Sequence, residues 1–171
     1  LIADVAGAQV SGGPNTEVSG ISADSRQVKP GDAFVALVGR DTDGHRFAPQ
    51  AVQQGAAVVV VERAVPAVAT TQVIVPNSRR ALALMAAAWH GNPGRRVRVI
   101  GVTGTDGKTT TSTLVASILE AAGYPTGLLT TVAARIGAEE MDTGLHTTTP
   151  DPLDFHAYLA AMVDRGMTYA V

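Results

Sequence analysis

Cysteine is absent from this 171-residue sequence, which excludes disulfide bridges, thiolate metal sites and thiol nucleophiles. The absence agrees with a cytoplasmic location, which we expect. An excess of positive charge is also missing: the formal net charge of -2 argues against nucleic acid as a main partner. Long apolar runs are missing too, since the run at 58–61 is far too short to span a bilayer. We therefore expect no contact with nucleic acid or membrane.

Hydrophobic residues are nevertheless abundant, at 46% of the sequence, which is ample for a buried core. Apolar, partly β-branched runs predict strands at 32–38, 56–61, 72–75, 97–103, 127–131 and 168–171. Periodic patterns predict helices at 47–54, 78–90, 109–122 and 153–165. Because strands and helices alternate, the sequence predicts an α/β fold whose strands are covered on both faces.

A Gly-Asn-Pro-Gly segment at 91–94 follows the helix predicted at 78–90 and is typical of a linker. We therefore predict a small α/β domain over 1–93 and the beginning of a second domain over 94–171. A doubly wound nucleotide-binding domain usually needs more than about 100 residues. We therefore expect the second domain to be incomplete and the chain to be a piece of a longer protein.

The segment 103–109 (TGTDGKT) lies between a predicted buried strand and a predicted amphipathic helix. Gly104 and Gly107 allow a tight turn that aims backbone N–H groups at phosphate oxygens, and the helix N-terminus adds its positive dipole. Lys108 is then placed to reach the β- and γ-phosphates of a nucleotide, and Thr109 to hold Mg²⁺. The segment therefore predicts an ATP phosphate loop.

This loop departs from the usual pattern, because Val102 stands where the first glycine is expected and Gly101 comes one residue too early. The dinucleotide pattern G-x-G-x-x-G also fails, since the glycines fall at 101, 104 and 107. An ordinary strand-to-helix turn with a solvated lysine is the alternative. Asp106 would repel phosphates unless it binds Mg²⁺ or caps the helix, and we favour the cap.

Other catalytic constellations are not supported by spacing. The four histidines are scattered without the spacing of metal ligands, so no zinc site is predicted. No serine lies in a G-x-S-x-G nucleophile elbow. The functional prediction from these residues is therefore based on the phosphate loop.

Three stretches together resemble the Mur ligases, ATP-dependent enzymes that add amino acids to a UDP-linked cell-wall precursor. The segment 103–111 is similar to their ATP loop, which usually has asparagine where Asp106 stands. The segments 24–39 and 43–47 resemble the UDP-binding domain of the ligases that add the third residue or the D-Ala-D-Ala dipeptide. The segment 147–154 (TTTPDPLD) resembles the third-residue ligase, UDP-N-acetylmuramoyl-tripeptide synthetase.

The resemblance implies a small N-terminal UDP-binding α/β domain followed by the start of a P-loop, parallel-sheet ATPase domain. A C-terminal amino-acid-binding domain would be absent. It also implies roles for particular residues. ATP would be bound by Gly104, Thr105, Asp106, Gly107, Lys108, Thr109 and Thr110, with Lys108 catalytic and Thr109 on Mg²⁺. The UDP precursor would be bound by Ser25, Arg40, Asp41, Thr42, Thr148 and Thr149. A local turn network at 24–26 and a simple loop at 147–150 are the structural alternatives.

The implied reaction passes the γ-phosphate of ATP to the D-glutamate carboxylate of UDP-N-acetylmuramoyl-L-Ala-D-Glu, and an incoming amine then displaces it. The third amino acid, diaminopimelate or lysine, would be the second substrate. We expect a monomer, and we expect this piece alone to be unable to complete ligation. A D-Ala-D-Ala-adding ligase and a non-catalytic nucleotide-binding module remain as alternatives.

Overall fold

The computed structural model describes residues 2–3, 5–13, 15–39, 42–66, 68–142 and 150–171. The chain divides into two compact units, Leu1–Ala86 and Ala87–Val171. The division falls within a helix, a few residues before the linker predicted at 91–94. The functional boundary at residue 93 stays a prediction.

The first unit contains a five-stranded sheet in the order β1-β5-β4-β3-β2. Its strands are β1 (Gln9–Ser11), β2 (Gly20–Ser22), β3 (Asp32–Val35), β4 (Val58–Val61) and β5 (Thr71–Ile74). Strands β2 to β5 are parallel to one another, whereas β1 runs antiparallel to β5. The carboxyl ends of the parallel strands therefore meet at one edge of the sheet.

Both faces of β3 and β4 are buried, which explains why their sequences are continuous apolar runs. On one face, Phe34 of β3 and Val59 of β4 lie in a core cluster with Ala48 and Ala51. These two alanines belong to helix α1 (Ala48–Gln53), which follows a 3-10 turn at Gly44–Phe47. Helix α2 (Ser78–Trp89) follows β5 and crosses the boundary between the two units.

The second unit also has a five-stranded sheet, in the order β6-β10-β7-β8-β9. Its strands are β6 (Arg98–Val99), β7 (Thr126–Leu129), β8 (Ala133–Ile136), β9 (Glu139–Asp142) and β10 (Tyr169–Ala170). Strands β6, β10 and β7 are parallel, whereas β8 and β9 continue the sheet as an antiparallel hairpin.

Helices cover the two faces of this second sheet. Helix α3 (Lys108–Ala121) contributes Ala116 to a cluster with Leu128 and Val171. Helix α4 (Pro152–Asp164) contributes Leu159 and Met162 to another cluster, which includes the β10 residue Ala170. Because Ala170 and Val171 are consecutive, they point to opposite faces and anchor one helix each. The predicted α/β fold with parallel strands is confirmed.

The structure corrects several details of the predicted strands. The strand predicted at 97–103 ends at Val99, because the chain beyond it opens into the phosphate loop after one more hydrogen bond, from the Ile100 N–H to the Ala170 oxygen. Strands β1 and β2 and the β8–β9 hairpin were not predicted. Strand β1 is exposed at every residue, so it carries no apolar pattern from which to predict it.

None of the helices in the described part of the chain has both the length and the apolar character needed to cross a membrane.

Gly44 packs too tightly against the chain that leaves β3 to accept a side chain. A Cβ atom at this position would lie 2.6 Å from the Leu37 backbone nitrogen and oxygen. We predict that Gly44→Ala destabilises the first unit by about 1–3 kcal/mol, because backbone atoms must move. Urea denaturation followed by circular dichroism measures this change.

Gly94→Ala is the matched control, since a Cβ atom at this position would meet no heavy atom within 4 Å. It should change stability by no more than about 0.5 kcal/mol. Equal unfolding midpoints for the two variants would contradict the close approach at Gly44.

Candidate functional site

A loop hinged by glycines connects β6 to α3 at the carboxyl edge of the parallel strands. Gly104 has a φ of 150° and Gly107 a φ of 74°, conformations that side chains disfavour. A Cβ on Gly107 would meet no heavy atom within 4 Å. Glycine is therefore favoured at this position by its backbone conformation and not by lack of space. The two glycines turn the chain so that α3 begins at Lys108.

The first turn of α3 offers backbone donors. Its first helical hydrogen bond runs from the Thr111 N–H to the Gly107 oxygen, at 2.9 Å. The N–H groups that precede Thr111 therefore have no intrahelical acceptor, and the helix dipole adds positive potential there. This arrangement suits an anion, and above all a phosphate group.

The prediction that Asp106 caps α3 was wrong. Gly107 occupies the N-cap position, and no side chain in the described part of the chain accepts a capping hydrogen bond from this helix. The left-handed φ of Gly107 turns the chain between Asp106 and the helix. Asp106 is instead an exposed carboxylate in the loop.

Lys108 folds back onto its own loop. Its Nζ donates to the Gly104 oxygen at 2.8 Å and to the Thr105 oxygen at 2.9 Å. The ammonium group thus lies over the loop that precedes the helix. Its charge therefore lies beside the loop that the two glycines shape.

Lys108 and Thr109 also line a small cleft of about 70 Å³. Thr130 and Thr131, which follow β7, lie on the other side of this cleft. These two threonines were not among the predicted site residues, although their place at the carboxyl end of the strand predicted at 127–131 was a usable signal. The Thr130 hydroxyl is engaged with the backbone of Ala133, so it shapes the turn after β7.

In the first unit, Ser25 lines a separate cavity of about 460 Å³. Its side chain is only 6% exposed, and its hydroxyl donates to Gln50 Oε1 at 3.2 Å. The lining residues are Ala23, Asp24, Ser25, Arg26, Phe47 and Gln50. Gln50 was missed by the sequence analysis, since its contact with Ser25 depends on the packing of α1. An aromatic ring, a hydroxyl and an amide together suit a flat, polar ligand.

The turn network that was the alternative for residues 24–26 is also present. Arg26 donates three side-chain hydrogen bonds to the Asp24 carboxylate, and the Arg26 backbone N–H donates a fourth. These bonds hold the pKa of Asp24 well below its usual range. Ser25 is not part of this network, because its hydroxyl is directed towards Gln50.

The topology brings Ser25 and Thr42 to the same sheet edge. Ser25 follows β2 and Thr42 follows β3, and these strands are parallel neighbours. Thr42 is exposed, and its oxygen accepts a hydrogen bond from the Gly39 N–H at 2.9 Å. The other predicted precursor-binding residues, Arg40, Asp41, Thr148 and Thr149, lie outside the described residues.

Two family models match this chain. The model described as "Mur ligase family, catalytic domain" matches residues 17–90, and "Mur ligase middle domain" matches residues 102–171. The first range contains the Ser25 cavity, and the second contains the glycine-hinged loop.

Individual proteins agree with these matches. The UDP-N-acetylmuramyl-tripeptide synthetase of Roseiflexus sp. (strain RS-1) is 48% identical over 92% of this chain and 31% of that protein. A solved structure of UDP-N-acetylmuramoyl-L-alanyl-D-glutamate–2,6-diaminopimelate ligase is 28% identical, with a TM-score of 0.69 over 90% of this chain and 31% of its own.

A third protein carries a nucleotide in its structure. The MurF ligase of Thermotoga maritima in complex with ADP is 28% identical, with a TM-score of 0.57 over 91% of this chain and 31% of its own. The chain spans about a third of the length of the curated relatives it matches.

Asp106 is an exposed carboxylate close to the start of α3, so its negative charge would oppose the binding of a phosphate group there. Asp106→Asn should strengthen the binding of MgATP about two- to fivefold at low salt, because it removes a negative charge near the phosphates. The gain should shrink at higher salt, since the charge is exposed. Isothermal titration at two salt concentrations measures both effects.

Asp164→Asn is the matched control. Asp164 is the last residue of α4, which leads into the amino end of β10, and the loop lies at the carboxyl edge of the sheet. This variant removes the same charge and should leave MgATP affinity unchanged. Similar gains in both variants would mean that net charge matters and the position of Asp106 does not.

Proposed function

This chain belongs to the Mur ligase family, and we propose that it supplies the precursor-binding and phosphate-binding parts of a ligase that adds the third amino acid to a peptidoglycan precursor. The precursor is UDP-N-acetylmuramoyl-L-Ala-D-Glu, and the amino acid is diaminopimelate or lysine. The observation that carries the proposal is the glycine-hinged loop with Lys108 at the start of α3. The tripeptide synthetase relative, 48% identical, supports the choice of substrate.

The proposed reaction has two steps. A carboxylate oxygen of the D-glutamate attacks the γ-phosphorus of ATP, the bond from that phosphorus to the bridging oxygen breaks, and ADP leaves. The amine nitrogen of the incoming amino acid then attacks the acyl carbon, and inorganic phosphate leaves as the amine loses a proton. Since the phosphoryl group carries most of the charge, positioning and electrostatics supply much of the catalysis.

The loop residues have defined tasks in this proposal. The N–H groups of the first α3 turn bind phosphate oxygens, and Lys108 moves its three donors from loop carbonyls towards the β- and γ-phosphates. Thr109 lines the cleft beside Lys108, so its hydroxyl fits the role of an Mg²⁺ ligand. Mg²⁺, when bound, neutralises charge on the phosphates. Gly104, Thr105, Asp106, Gly107 and Thr110 complete the loop.

The first unit holds the uridine part of the precursor in this proposal. The cavity beside Ser25 combines the ring of Phe47 with the polar groups of Ser25 and Gln50, which suits the uridine part of the precursor. Thr42 lies at the same edge and contributes to the same task. We propose the same role for Arg40 and Asp41, and contact with the muramoyl-dipeptide for Thr148 and Thr149.

Two alternative functions can be tested against this proposal. A D-Ala-D-Ala-adding ligase is supported by the structural likeness to UDP-N-acetylmuramoylalanyl-D-glutamyl-2,6-diaminopimelate–D-alanyl-D-alanyl ligase from Acinetobacter baumannii, which is 32% identical with a TM-score of 0.56. A titration of UDP-N-acetylmuramoyl-dipeptide against the corresponding tripeptide separates it from the first proposal. A non-catalytic nucleotide-binding module would bind ligands, yet its full-length protein would form no amide bond.

The whole reaction is proposed for the complete ligase, and ligand binding is proposed for these 171 residues. We infer a cytoplasmic location, because ATP and UDP-linked precursors are cytoplasmic metabolites. We also propose that the protein acts as a monomer. Sedimentation velocity over a range of concentrations tests that last proposal.

Lys108→Ala should weaken MgATP binding by about 100-fold, because it removes the charged side chain that lies over the loop. Binding of UDP-N-acetylmuramoyl-L-Ala-D-Glu should be retained, since the cavity proposed for its uridine part lies in the first unit. Isothermal titration of both ligands into wild type and variant measures the two affinities.

Lys29→Ala is the matched control, since Lys29 is the other lysine of the sequence and is exposed in the first unit. It should leave MgATP affinity unchanged. Full MgATP affinity in Lys108→Ala would overturn the phosphate-loop assignment. Absence of precursor binding by folded wild type would overturn the precursor assignment for this chain.

A further inference from the structure

The loop that follows β3 is closed by backbone hydrogen bonds at its stem. Val38 and Asp43 form an antiparallel bridge. Inside the bridge, the Gly39 N–H donates to the Thr42 oxygen at 2.9 Å, and next to it the Gly44 N–H donates to the Leu37 oxygen at 2.8 Å. We call residues 37–39 and 42–44 the loop stem.

His45 directly follows the loop stem. It is a buried polar residue that has no role in the proposed phosphoryl transfer. Its side chain is 4% exposed. Nε2 accepts a hydrogen bond from the backbone N–H of Glu62 at 2.8 Å, and Nδ1 lies 2.6 Å from Asp43 Oδ1. Since a backbone N–H only donates, Nε2 carries no proton, and the ring proton on Nδ1 is donated to Asp43.

Asp43 is fixed by further donors. The His45 backbone N–H donates to Oδ1 at 3.0 Å, and Arg63 donates to Oδ2. The Arg63 guanidinium and the His45 backbone N–H hold the pKa of Asp43 well below its usual range, so the carboxylate stays charged. Asp43 therefore connects the loop stem with the residues that follow β4.

Glu62 extends this connection to the start of α2. Its Oε1 accepts hydrogen bonds from the Ser78 N–H at 2.8 Å and from the Ser78 hydroxyl at 2.9 Å. The Ser78 N–H lowers the pKa of Glu62. The loop stem, the end of β4 and the first residue of α2 are thus joined through two carboxylates and one imidazole.

We propose that His45 is a positioning residue for precursor binding, whose imidazole holds the loop stem against the end of β4. The proposal rests on the proposed function, because it concerns the loop that would contact the UDP part of the precursor. Thr42 belongs to the stem and lies at the same sheet edge as the Ser25 cavity. A stem held in place presents Thr42 with little loss of conformational entropy on binding.

The chemistry of histidine explains its place here. One ring nitrogen accepts from the Glu62 N–H, while the other donates to Asp43, and the rigid ring sets the distance between them. An apolar side chain of similar volume would fill the space, but it would leave a buried N–H without an acceptor. Asparagine retains a donor near the Nδ1 position, and glutamine retains an acceptor that can reach towards Glu62.

The test is a set of substitutions at His45, with UDP-N-acetylmuramoyl-L-Ala-D-Glu and MgATP as probes. His45→Leu should weaken precursor binding about tenfold or more, because the stem loses both hydrogen bonds that the imidazole makes. His45→Asn and His45→Gln should each recover part of this loss, since each retains one link. MgATP affinity should be the same in all variants, because its site lies in the second unit.

Gln72→Leu is the matched control in the first unit. Gln72 makes hydrogen bonds to the backbone of Val65 and Val68 and, within the described part of the chain, makes none to the loop stem. This variant should lower the free energy of unfolding, as His45→Leu should, yet leave precursor affinity unchanged. Equal effects of the two variants on precursor affinity would reduce His45 to a general structural role and overturn the proposal.

Two measurements do not depend on the precursor. Amide hydrogen exchange at Gly39 and Gly44 should accelerate in His45→Leu, whereas the Val75 amide, bonded to the Val61 oxygen, should be unaffected. A long-range ¹H–¹⁵N spectrum should show the proton on Nδ1 of His45. A proton on Nε2, or unchanged exchange at both glycines, would overturn the proposal.

The outcomes also separate this proposal from the proposed function. If folded wild type binds no precursor, the substrate assignment fails, and the exchange data alone decide whether His45 holds the loop stem. If wild type binds precursor and all His45 variants bind it equally well, the positioning role fails and the substrate assignment stands.

Discussion

Parallel strand pairing is the constraint on which both candidate sites depend. Parallel strands direct all their carboxyl ends to one sheet edge, so the segments that follow them are neighbours however far apart they lie in sequence. In the first unit this edge collects Ser25 after β2, Thr42 after β3 and Glu62 after β4. In the second it collects the glycine-hinged loop after β6 and Thr130 after β7. The sites are therefore products of topology as much as of residue chemistry.

The turn and helix start of the predicted phosphate loop could be predicted from the sequence because their determinants are local. Two glycines with left-handed backbone and a lysine at the first helical position lie within five residues, and no distant contact is needed to recognise them. Strands β3 and β4 could also be predicted, since both are buried on both faces and their sequences are therefore continuous apolar runs. Asp106 was the local error: glycine, which needs no side-chain acceptor, occupies the N-cap position instead.

Contacts between residues far apart in the chain could not be predicted from the sequence. Ser25 meets Gln50 only because α1 packs across β3 and β4, and His45 meets the Glu62 N–H only because these two strands are paired in one register. The histidines lack metal-ligand spacing, so sequence reasoning gave His45 no particular role. Strand β1 was missed because its three exposed residues carry no apolar pattern. The β8–β9 hairpin was missed because the sequence of β9, Glu-Glu-Met-Asp, is polar and lacks the apolar signal of a strand.

The loop at the sheet edge is ordered by different contacts in the two units. A loop at a sheet edge must be ordered before it binds, or binding loses free energy to conformational entropy. In the second unit the order comes from two glycines, a helix start and a lysine side chain that donates to its own loop. In the first unit the loop leads into a short 3-10 turn, and a helix of only six residues follows. Backbone hydrogen bonds close the loop stem there, and side chains attach it to the rest of the sheet. A buried imidazole between a carboxylate and a backbone N–H suits that task because it donates at one end and accepts at the other.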